Sequence, residues 1–229
     1  MSDETQNERQ DDLSALQNAS GSKKEDSQTV KDEAFEAEDK PRLNLSEIQD
    51  SALNKIVFAA GWDIKHYDGT DVDLDLSALM YGRDGRTRED RDFVFYNNLA
   101  SSGEEVVHSG DNRTGAGEGD DETIVVDLTK IPFEVMGITF VVTIHEGDLR
   151  RQNFSIVDNA FLRIVNYDTD YELARIDIPN IEDERSESTG LIFGSLERAG
   201  QEWIFIKRLD SVNGGLAQIA TDFGIIVVE

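Results

Sequence analysis

Short segments with β-strand character, several of which alternate apolar and polar residues, dominate the chain from about residue 43 onward. A period of two places every second side chain on the same face, which is typical of a β-strand with one buried face. Turn-forming residues separate nine such segments: 54–64, 71–82, 92–98, 122–128, 137–145, 160–167, 172–178, 190–198 and 202–209. Eight or nine short strands at this spacing, without a strand–helix–strand rhythm, predict an all-β fold, an antiparallel β-sandwich.

Two short segments have helical spacing instead: "LTKIPFEVM" (128–136) and "GGLAQIATDFG" (214–224). The first predicted strand is expected to end in a Gly-Trp-Asp turn at 61–63. The segment "DVDLDLSALMYG" (71–82) alternates most strictly, and its pattern predicts a half-buried strand with one polar face.

The first 41 residues differ from the rest in composition, with twelve acids, five bases and a single aromatic residue, Phe35. Such a segment buries too little apolar surface to offset the entropy of ordering its backbone. We therefore predict a disordered acidic tail over 1–41 and one β-sandwich domain over 42–229.

The net charge of −26 excludes several classes of partner. The tail contributes −7 of it, so the predicted domain itself carries −19. A field of this sign repels nucleic acid and anionic membrane surfaces, and it attracts metal cations and basic proteins. The chain has no cysteine, which excludes disulfides and thiolate metal sites. Neither a signal peptide nor an apolar run long enough to cross a bilayer is found, and we expect a cytoplasmic protein.

The stretch "GDNRTGAGEGDDE" (110–122) carries five carboxylates and four glycines but only one base, Arg113. Two like charges about 4 Å apart repel by about 1 kcal/mol in water and about 4 kcal/mol near a protein surface. Either the loop is a solvated tether or a cation orders it. Glycines allow carbonyl groups to turn inward, and calcium takes six to eight such oxygen ligands.

This loop is neither an EF-hand nor a phosphate-binding loop. Asp111 and Glu122 occupy the first and twelfth positions of an EF-hand, but Arg113 occupies the third and Ala116 replaces the glycine required at the sixth. No Gly-Lys-Ser/Thr follows, and the acids would repel a phosphate.

Two further groups of oxygen donors are candidates for the same cation. Asp71, Asp73 and Asp75 would line one face of a strand, about 7 Å apart, although a solvated outer face has the same pattern. Asn97 and Asn98 close another strand, where an ordinary turn is the alternative.

The sequence contains no recognisable catalytic motif. The three histidines, His66, His108 and His145, are scattered, and neither HExxH nor a nucleophile elbow is present. The segment "HEGD" at 145–148 is interpreted as a turn after a strand. We expect a protein that is not an enzyme.

Several segments, taken in order, resemble the TerD family of tellurium-resistance and stress-response proteins. The resemblance is carried by "AAGWD", "DVDLDLSAL", "DFVFYNNL", "HSGDNRTGAGEGDDETIVVDL", "RQNFSIVDNAFLRIVN", "GLIFGSLER" and "GGLAQIATDFG", and it runs from about residue 44 to 228. The acidic tail departs from the family pattern.

The resemblance implies a calcium-binding β-sandwich, commonly with two ions and without an established catalytic activity. It also implies a bacterial cytoplasm and association with other tellurium-resistance proteins or a membrane-linked stress complex. The residues that would hold Ca²⁺ are Asp71, Asp73, Asp75, Asn97, Asn98, Asp111, Asn112, Thr114, Gly115, Glu118, Gly119, Asp120, Asp121 and Glu122.

Three functions remain open from the sequence. The first is a calcium-binding scaffold or sensor in tellurite and chemical-stress resistance. The second is a structural or interaction protein, of mobile-element or phage association, in which calcium only stabilises the fold. The third is an enzyme that uses calcium to orient an anionic substrate, for which the sequence names no substrate.

Overall fold

The computed structural model of the protein describes residues 42–48, 53–64, 72–109, 119–178 and 187–227. The predicted tail and the predicted ligands at 71 and between 111 and 118 lie outside the described residues. The predicted division at residue 41 stays a prediction.

Eleven strands lie within the described parts of the chain. Their bounds are β1 (Arg42–Asn44), β2 (Lys55–Ile64), β3 (Leu74–Tyr81), β4 (Phe93–Val94), β5 (Val106–His108), β6 (Glu122–Asp127), β7 (Gly137–Ile144), β8 (Val157–Asn166), β9 (Tyr171–Ile178), β10 (Gly190–Ala199) and β11 (Glu202–Val212). Two α-helices accompany them, α1 (Gly147–Arg150) and α2 (Gly215–Asp222), together with three 3-10 turns at Leu45–Glu47, Asp90–Asp92 and Phe154–Ile156.

The strands form two antiparallel sheets that pack face to face. The six-stranded sheet has the order β1-β11-β10-β7-β3-β4, and the five-stranded sheet has the order β5-β6-β2-β8-β9. Phe58 on β2 stacks on Phe140 on β7 with ring centroids 3.5 Å apart, and Phe205 on β11 packs beside them. All three are buried. The predicted β-sandwich is confirmed.

The prediction that β3 is half-buried is wrong, because both of its faces are covered. Leu79 on the supposed polar face packs against Ile219 and Ala220 of α2. Ser77 and Asp75 on that face are 0% and 3% exposed. The alternation reports which side chains share a face, but α2, more than a hundred residues further along the chain, decides whether that face meets water.

Local predictions had mixed outcomes. The helix predicted over 214–224 is confirmed as α2, whereas the helix predicted over 128–136 is wrong, because these residues form turns. Leu128, Ile131 and Val135 are buried there at helix-like spacing, although Pro132 interrupts the segment and Val135 N donates back to the Pro132 carbonyl.

Two strands end at residues other than those predicted. The Gly-Trp-Asp stretch 61–63 lies inside β2, which continues to Ile64, because β8 pairs with it to that point. The strand predicted over 92–98 is shorter, because β4 ends at Val94 and a turn follows. Of the segment 145–148, which was predicted to be a turn after a strand, residues 145 and 146 form a turn, whereas 147 and 148 begin α1.

The end of β2, the start of β3, the end of β5, the start of β6 and the end of β7 lie at one end of the sandwich, here called the acidic end. Leu74 pairs with Ile144, and Ala60 pairs with Glu122. The described residues next to these strand ends are 72–73, 109, 119–121 and 145–153. No helix in the described residues is long and apolar enough to cross a membrane.

Candidate metal centre

Asp73 and Asp75 stand at the start of β3, where the strand leaves the acidic end. The Oδ2 atom of Asp75 lies 3.3 Å from Nδ1 of His145, and the backbone N–H of His145 donates to the Asp73 carbonyl at 2.8 Å. The Tyr96 ring packs edge-on against the His145 ring, with centroids 5.3 Å apart. A carboxylate as buried as that of Asp75 is costly unless it is paired, hydrogen-bonded or bound to a metal. The start of β3 therefore favours a positive charge beside it.

Glu122 and His108 join the two sheets at the same end. The backbone N–H of Leu76 donates to Oε2 of Glu122 at 2.6 Å, and Nε2 of His108 lies 3.0 Å from the Leu76 carbonyl oxygen. The same Nε2 lies 3.4 Å from Oε2 of Glu122. Because a carbonyl only accepts, Nε2 is the protonated nitrogen in this arrangement. β4 pairs with β3 only at Ala78 and Leu79, so side chains of the other sheet satisfy this edge of β3.

Asp120 is bound by Arg163, which projects from β8. Nε of Arg163 donates to Oδ1 of Asp120 at 2.6 Å, and the Nη2 group of Arg163 donates to Oδ2. Nη1 of Arg163 also lies 3.7 Å from Glu172. Paired N–H groups of an arginine on one carboxylate form a strong and directional contact. The pair anchors Asp120, two residues before β6, to β8 of the five-stranded sheet.

Gly119 lies close against β2. A Cβ atom at Gly61 would collide with the Phe161 ring and would lie 2.7 Å from the Gly119 carbonyl oxygen. Only a glycine at position 61 leaves room for this approach. The Gly119 carbonyl group is therefore held close to Gly61 of β2.

Asp121 is surrounded by other carboxylates. Its Oδ2 atom accepts from the backbone N–H of Trp62 at 2.9 Å, which favours the ionised form. Burial nevertheless raises the pKa of Asp121, and the charges of neighbouring carboxylates raise it further: Asp120, Asp63 and Glu122. The hydrogen bond from Trp62 thus does not offset burial and repulsion, even with Arg163 bound to Asp120.

Asn97 and Asn98 lie in the turn that follows β4. Nδ2 of Asn98 donates to the Phe93 carbonyl at 2.6 Å, and backbone hydrogen bonds join Asn98 to Phe95 in both directions. Asn97 is exposed. The Asn98 amide group therefore holds the turn together, and this turn carries Tyr96 to its contact with His145.

Asp73, Asp75 and Asp121 present carboxylate oxygens at the acidic end. Carboxylate and carbonyl oxygens are the donors that calcium and magnesium prefer, which the chemistry of Asp73, Asp75 and Asp121 fits. Within the described part of the chain, no three or more histidine, aspartate or glutamate side chains are arranged to hold a metal ion. The remaining predicted ligands, Asp71, Asp111, Asn112, Thr114, Gly115 and Glu118, lie outside the described residues.

Sequence reasoning missed Arg163, His145 and Tyr96 as members of this region. The sequence contained a signal for Arg163, because it is the one basic residue in the otherwise uncharged strand segment "AFLRIVNY". His145 and Tyr96 had none, because a histidine after a strand and a tyrosine in a turn are common. Their contact depends on the packing of two connections about fifty residues apart.

Comparison with known proteins identifies the family. The sequence model of the TerD domain family matches residues 39–223 of this chain. The chain belongs to the TerD domain family. It is 45% identical over 183 residues to tellurium resistance protein TerD of Serratia marcescens, a match that covers 80% of this chain and 93% of that protein. It is 47% identical over 176 residues to general stress protein 16U of Bacillus subtilis strain 168, covering 76% of this chain and 90% of that protein.

A solved structure shares the fold of this TerD-domain protein. It is a homologue of the telluride resistance protein TerD from Streptomyces coelicolor, with a TM-score of 0.61 and 20% sequence identity. The superposition covers 74% of this chain and 96% of that one. At this identity the likeness concerns the fold alone.

Proposed function

We propose that this TerD-domain protein binds Ca²⁺ at the acidic end and acts without catalysis in resistance to tellurium compounds and other chemical stress. The observation that carries the proposal is Asp75, a carboxylate only 3% exposed at the same end of the sandwich as Asp121. A buried carboxylate and a half-buried one at the same end of the sandwich favour a bound cation.

The donor set favours calcium over other metals. Asp73, Asp75 and Asp121 would contribute carboxylate oxygens, and the predicted ligands at 111–118 would contribute further oxygens, up to two ions in total. Calcium accepts many oxygens in irregular geometry, whereas magnesium requires a near-ideal octahedron and retains its waters. Asp120 and Glu122 are engaged by Arg163 and Leu76, so we expect them to hold the loop in place beside the ion.

Support for a role in stress resistance comes from the relatives. Two of them are named for tellurium resistance and for general stress, and a third, 42% identical over 138 residues, is named chemical-damaging agent resistance protein B in Clostridium acetobutylicum. We extend this role to the present chain as a cytoplasmic scaffold or sensor whose partners include other tellurium-resistance proteins or a membrane-linked stress complex.

A second candidate function is a structural one, in which calcium only stabilises the fold. It is favoured by the buried contact of Glu122 with Leu76, which already joins the two sheets at this end. The two functions differ in one respect: a sensor binds its partner differently with and without calcium, whereas a structural ion changes only the melting temperature.

Calorimetric titration of the full chain, first stripped with a chelator, tests the proposal. We expect Ca²⁺ to bind more tightly than Mg²⁺, and Asp75→Asn to weaken Ca²⁺ binding at least tenfold. Glu134→Gln is the matched control, because Glu134 is exposed in the turn before β7, at the opposite end of that strand. Equal affinity for the two ions, or equal binding by Asp75→Asn and the parent, would contradict the proposal.

A further inference from the structure

A cleft of about 590 Å³ opens on the outer face of the six-stranded sheet. The turn after β4, the residues after β7, the start of α2 and residues 225–227 surround it. Its volume lies in the range of small-molecule sites. We call it the outer cleft.

The floor of the outer cleft holds two buried hydroxyl groups. Thr143 on β7 is 1% exposed and Thr189 before β10 is 4% exposed, and both line the cleft. Among the described residues, neither Oγ1 atom has a hydrogen-bond partner. Buried polar groups in folded proteins are almost always hydrogen-bonded, so two orphaned hydroxyls in one cleft indicate a missing ligand.

A carboxylate completes this floor. Asp75 lines the cleft and lies directly opposite Thr143 in the pairing of β3 with β7. Side chains directly opposite each other on antiparallel strands have Cβ atoms about 5 Å apart. Asp75, Thr143 and Thr189 therefore offer three oxygen acceptors within a small area.

Gly215 at the start of α2 lies beside Thr189. A Cβ atom on Gly215 would lie 3.7 Å from Oγ1 of Thr189, an ordinary van der Waals distance, so the start of α2 packs close to this hydroxyl.

An aromatic wall rises beside the polar floor. The rings of Phe93 and Phe95 stack with centroids 4.3 Å apart, and Tyr96 meets Phe95 edge-on at 5.2 Å. All three line the cleft. Aromatic rings attract cations to their faces and offer apolar surface to the rest of a ligand.

The charges around the cleft are mostly negative. Asp90, Glu146 and Asp148 line it in addition to Asp75, and His145 is the one base among the described lining residues. An anionic ligand would be repelled by these carboxylates, whereas a cationic one would be attracted. The starts of α1 and α2 both lie at the cleft, and these positive helix ends are the features that would favour an anion.

We propose that the outer cleft binds a small organic ammonium ion, a protonated primary amine on an apolar body. The ammonium group donates its three hydrogen bonds to Asp75, Thr143 and Thr189, and the apolar body packs on the wall of Phe93, Phe95 and Tyr96. This inference goes beyond the proposed function: it shares Asp75 with the proposed calcium site, so an ammonium ion and calcium would compete for that carboxylate, but it requires no bound calcium.

Three probes that share one phenyl group test the proposal: 2-phenylethylammonium, 2-phenylethanol and 3-phenylpropanoate. Each is titrated calorimetrically into the full chain in chelator, so the result is independent of any divalent cation. We expect the ammonium to bind at least tenfold more tightly than the alcohol, and the carboxylate to give no measurable binding. Equal binding of ammonium and alcohol, tightest binding of the carboxylate, or no binding of the ammonium at millimolar concentration would overturn it.

Paired valine variants show whether the hydroxyls act. Thr143→Val and Thr189→Val are each expected to weaken binding of 2-phenylethylammonium by fivefold or more. Because both hydroxyls lack partners, these variants are expected to melt no lower than the parent without a probe. Thr139→Val is the matched control on β7, where the hydroxyl contacts Ser195 instead of the cleft. Unchanged binding in both cleft variants, or equal weakening in Thr139→Val, would contradict the assignment.

Discussion

Asp120 and Asp121 are neighbours with the same side chain, and the structure predicts opposite consequences for their removal. Asp120 binds Arg163 with both oxygens, and the two side chains are 15% and 22% exposed. Asp121 accepts from the Trp62 N–H and is surrounded by like charge. Asp120→Asn thus removes a favourable ion pair, whereas Asp121→Asn removes repulsion and keeps an oxygen that can accept from Trp62.

The magnitudes follow from these contacts. Loss of hydrogen bonds to a charged group costs about 2 kcal/mol, so Asp120→Asn is expected to be destabilised by that amount. Asp121 is partly exposed, so we take the water-like value, about 1 kcal/mol, for the relieved repulsion. For a domain of this size 1 kcal/mol shifts the melting temperature by about 2–4 °C. In chelator, Asp120→Asn should melt about 4–8 °C lower than the parent and Asp121→Asn about 2–4 °C higher.

Calcium adds a second comparison. At a calcium concentration one hundred times Kd, binding stabilises the folded state by about 2.7 kcal/mol, and this term shrinks as Kd rises. Asp121→Asn should therefore melt above the parent in chelator and below it in calcium, while Asp120→Asn melts lower in both.

Differential scanning calorimetry of the parent and both variants, with Glu134→Gln as the control for loss of one charge, measures these shifts. If Asp121→Asn lowers the melting temperature in chelator as much as Asp120→Asn does, the assigned charge distribution is wrong. If Asp121→Asn melts above the parent in calcium as well, Asp121 is not a calcium ligand.

Three further outcomes are expected. Glu122→Ala should lower stability with or without calcium, by about 2–3 kcal/mol in urea unfolding, since the buried Leu76 N–H loses its acceptor; an unchanged midpoint would refute this. Burial raises the pKa of Tyr81, so this tyrosine ionises at a lower pH in the unfolded chain than in the folded one, and the free energy of unfolding should fall as pH rises above about 10. Tyr81→Phe should flatten that decline. Deletion of residues 1–41 should change neither melting temperature nor calcium affinity, because the family match begins at 39, and a loss of either would show that the tail contributes.

Much of the fold can be predicted from the sequence, because the interactions that cause it are local. The alternation in β6, β8 and β11 appears within windows of about ten residues, and strand length and turn residues lie in the same windows. The helix α2 is likewise legible, between a glycine before it and a glycine after it. Composition also indicates an acidic protein that attracts cations. These properties need no knowledge of which segment packs against which.

The wrong helix prediction at 128–136 shows where prediction from local sequence patterns fails. Leu128, Ile131 and Val135 have the spacing of a helix face, but each is buried because a turn-forming segment delivers it separately to the core. Leu128 N donates to the Asn54 carbonyl, and Thr129 donates to the Asp127 side chain. Contacts with a distant strand and with a preceding side chain replaced the hydrogen bonds that a helix would have made.

The roles of the acidic residues were decided by tertiary structure alone. The sequence identifies Asp120, Asp121 and Glu122 as three consecutive carboxylates with no difference between them. In the fold, Asp120 meets Arg163 from β8, Asp121 meets Trp62 from β2, and Glu122 crosses to Leu76 of the other sheet. Successive side chains at the start of a strand point in different directions, so each enters a different environment. Those environments are built by residues 43 to 59 positions away, whose arrival depends on strand register and sheet packing.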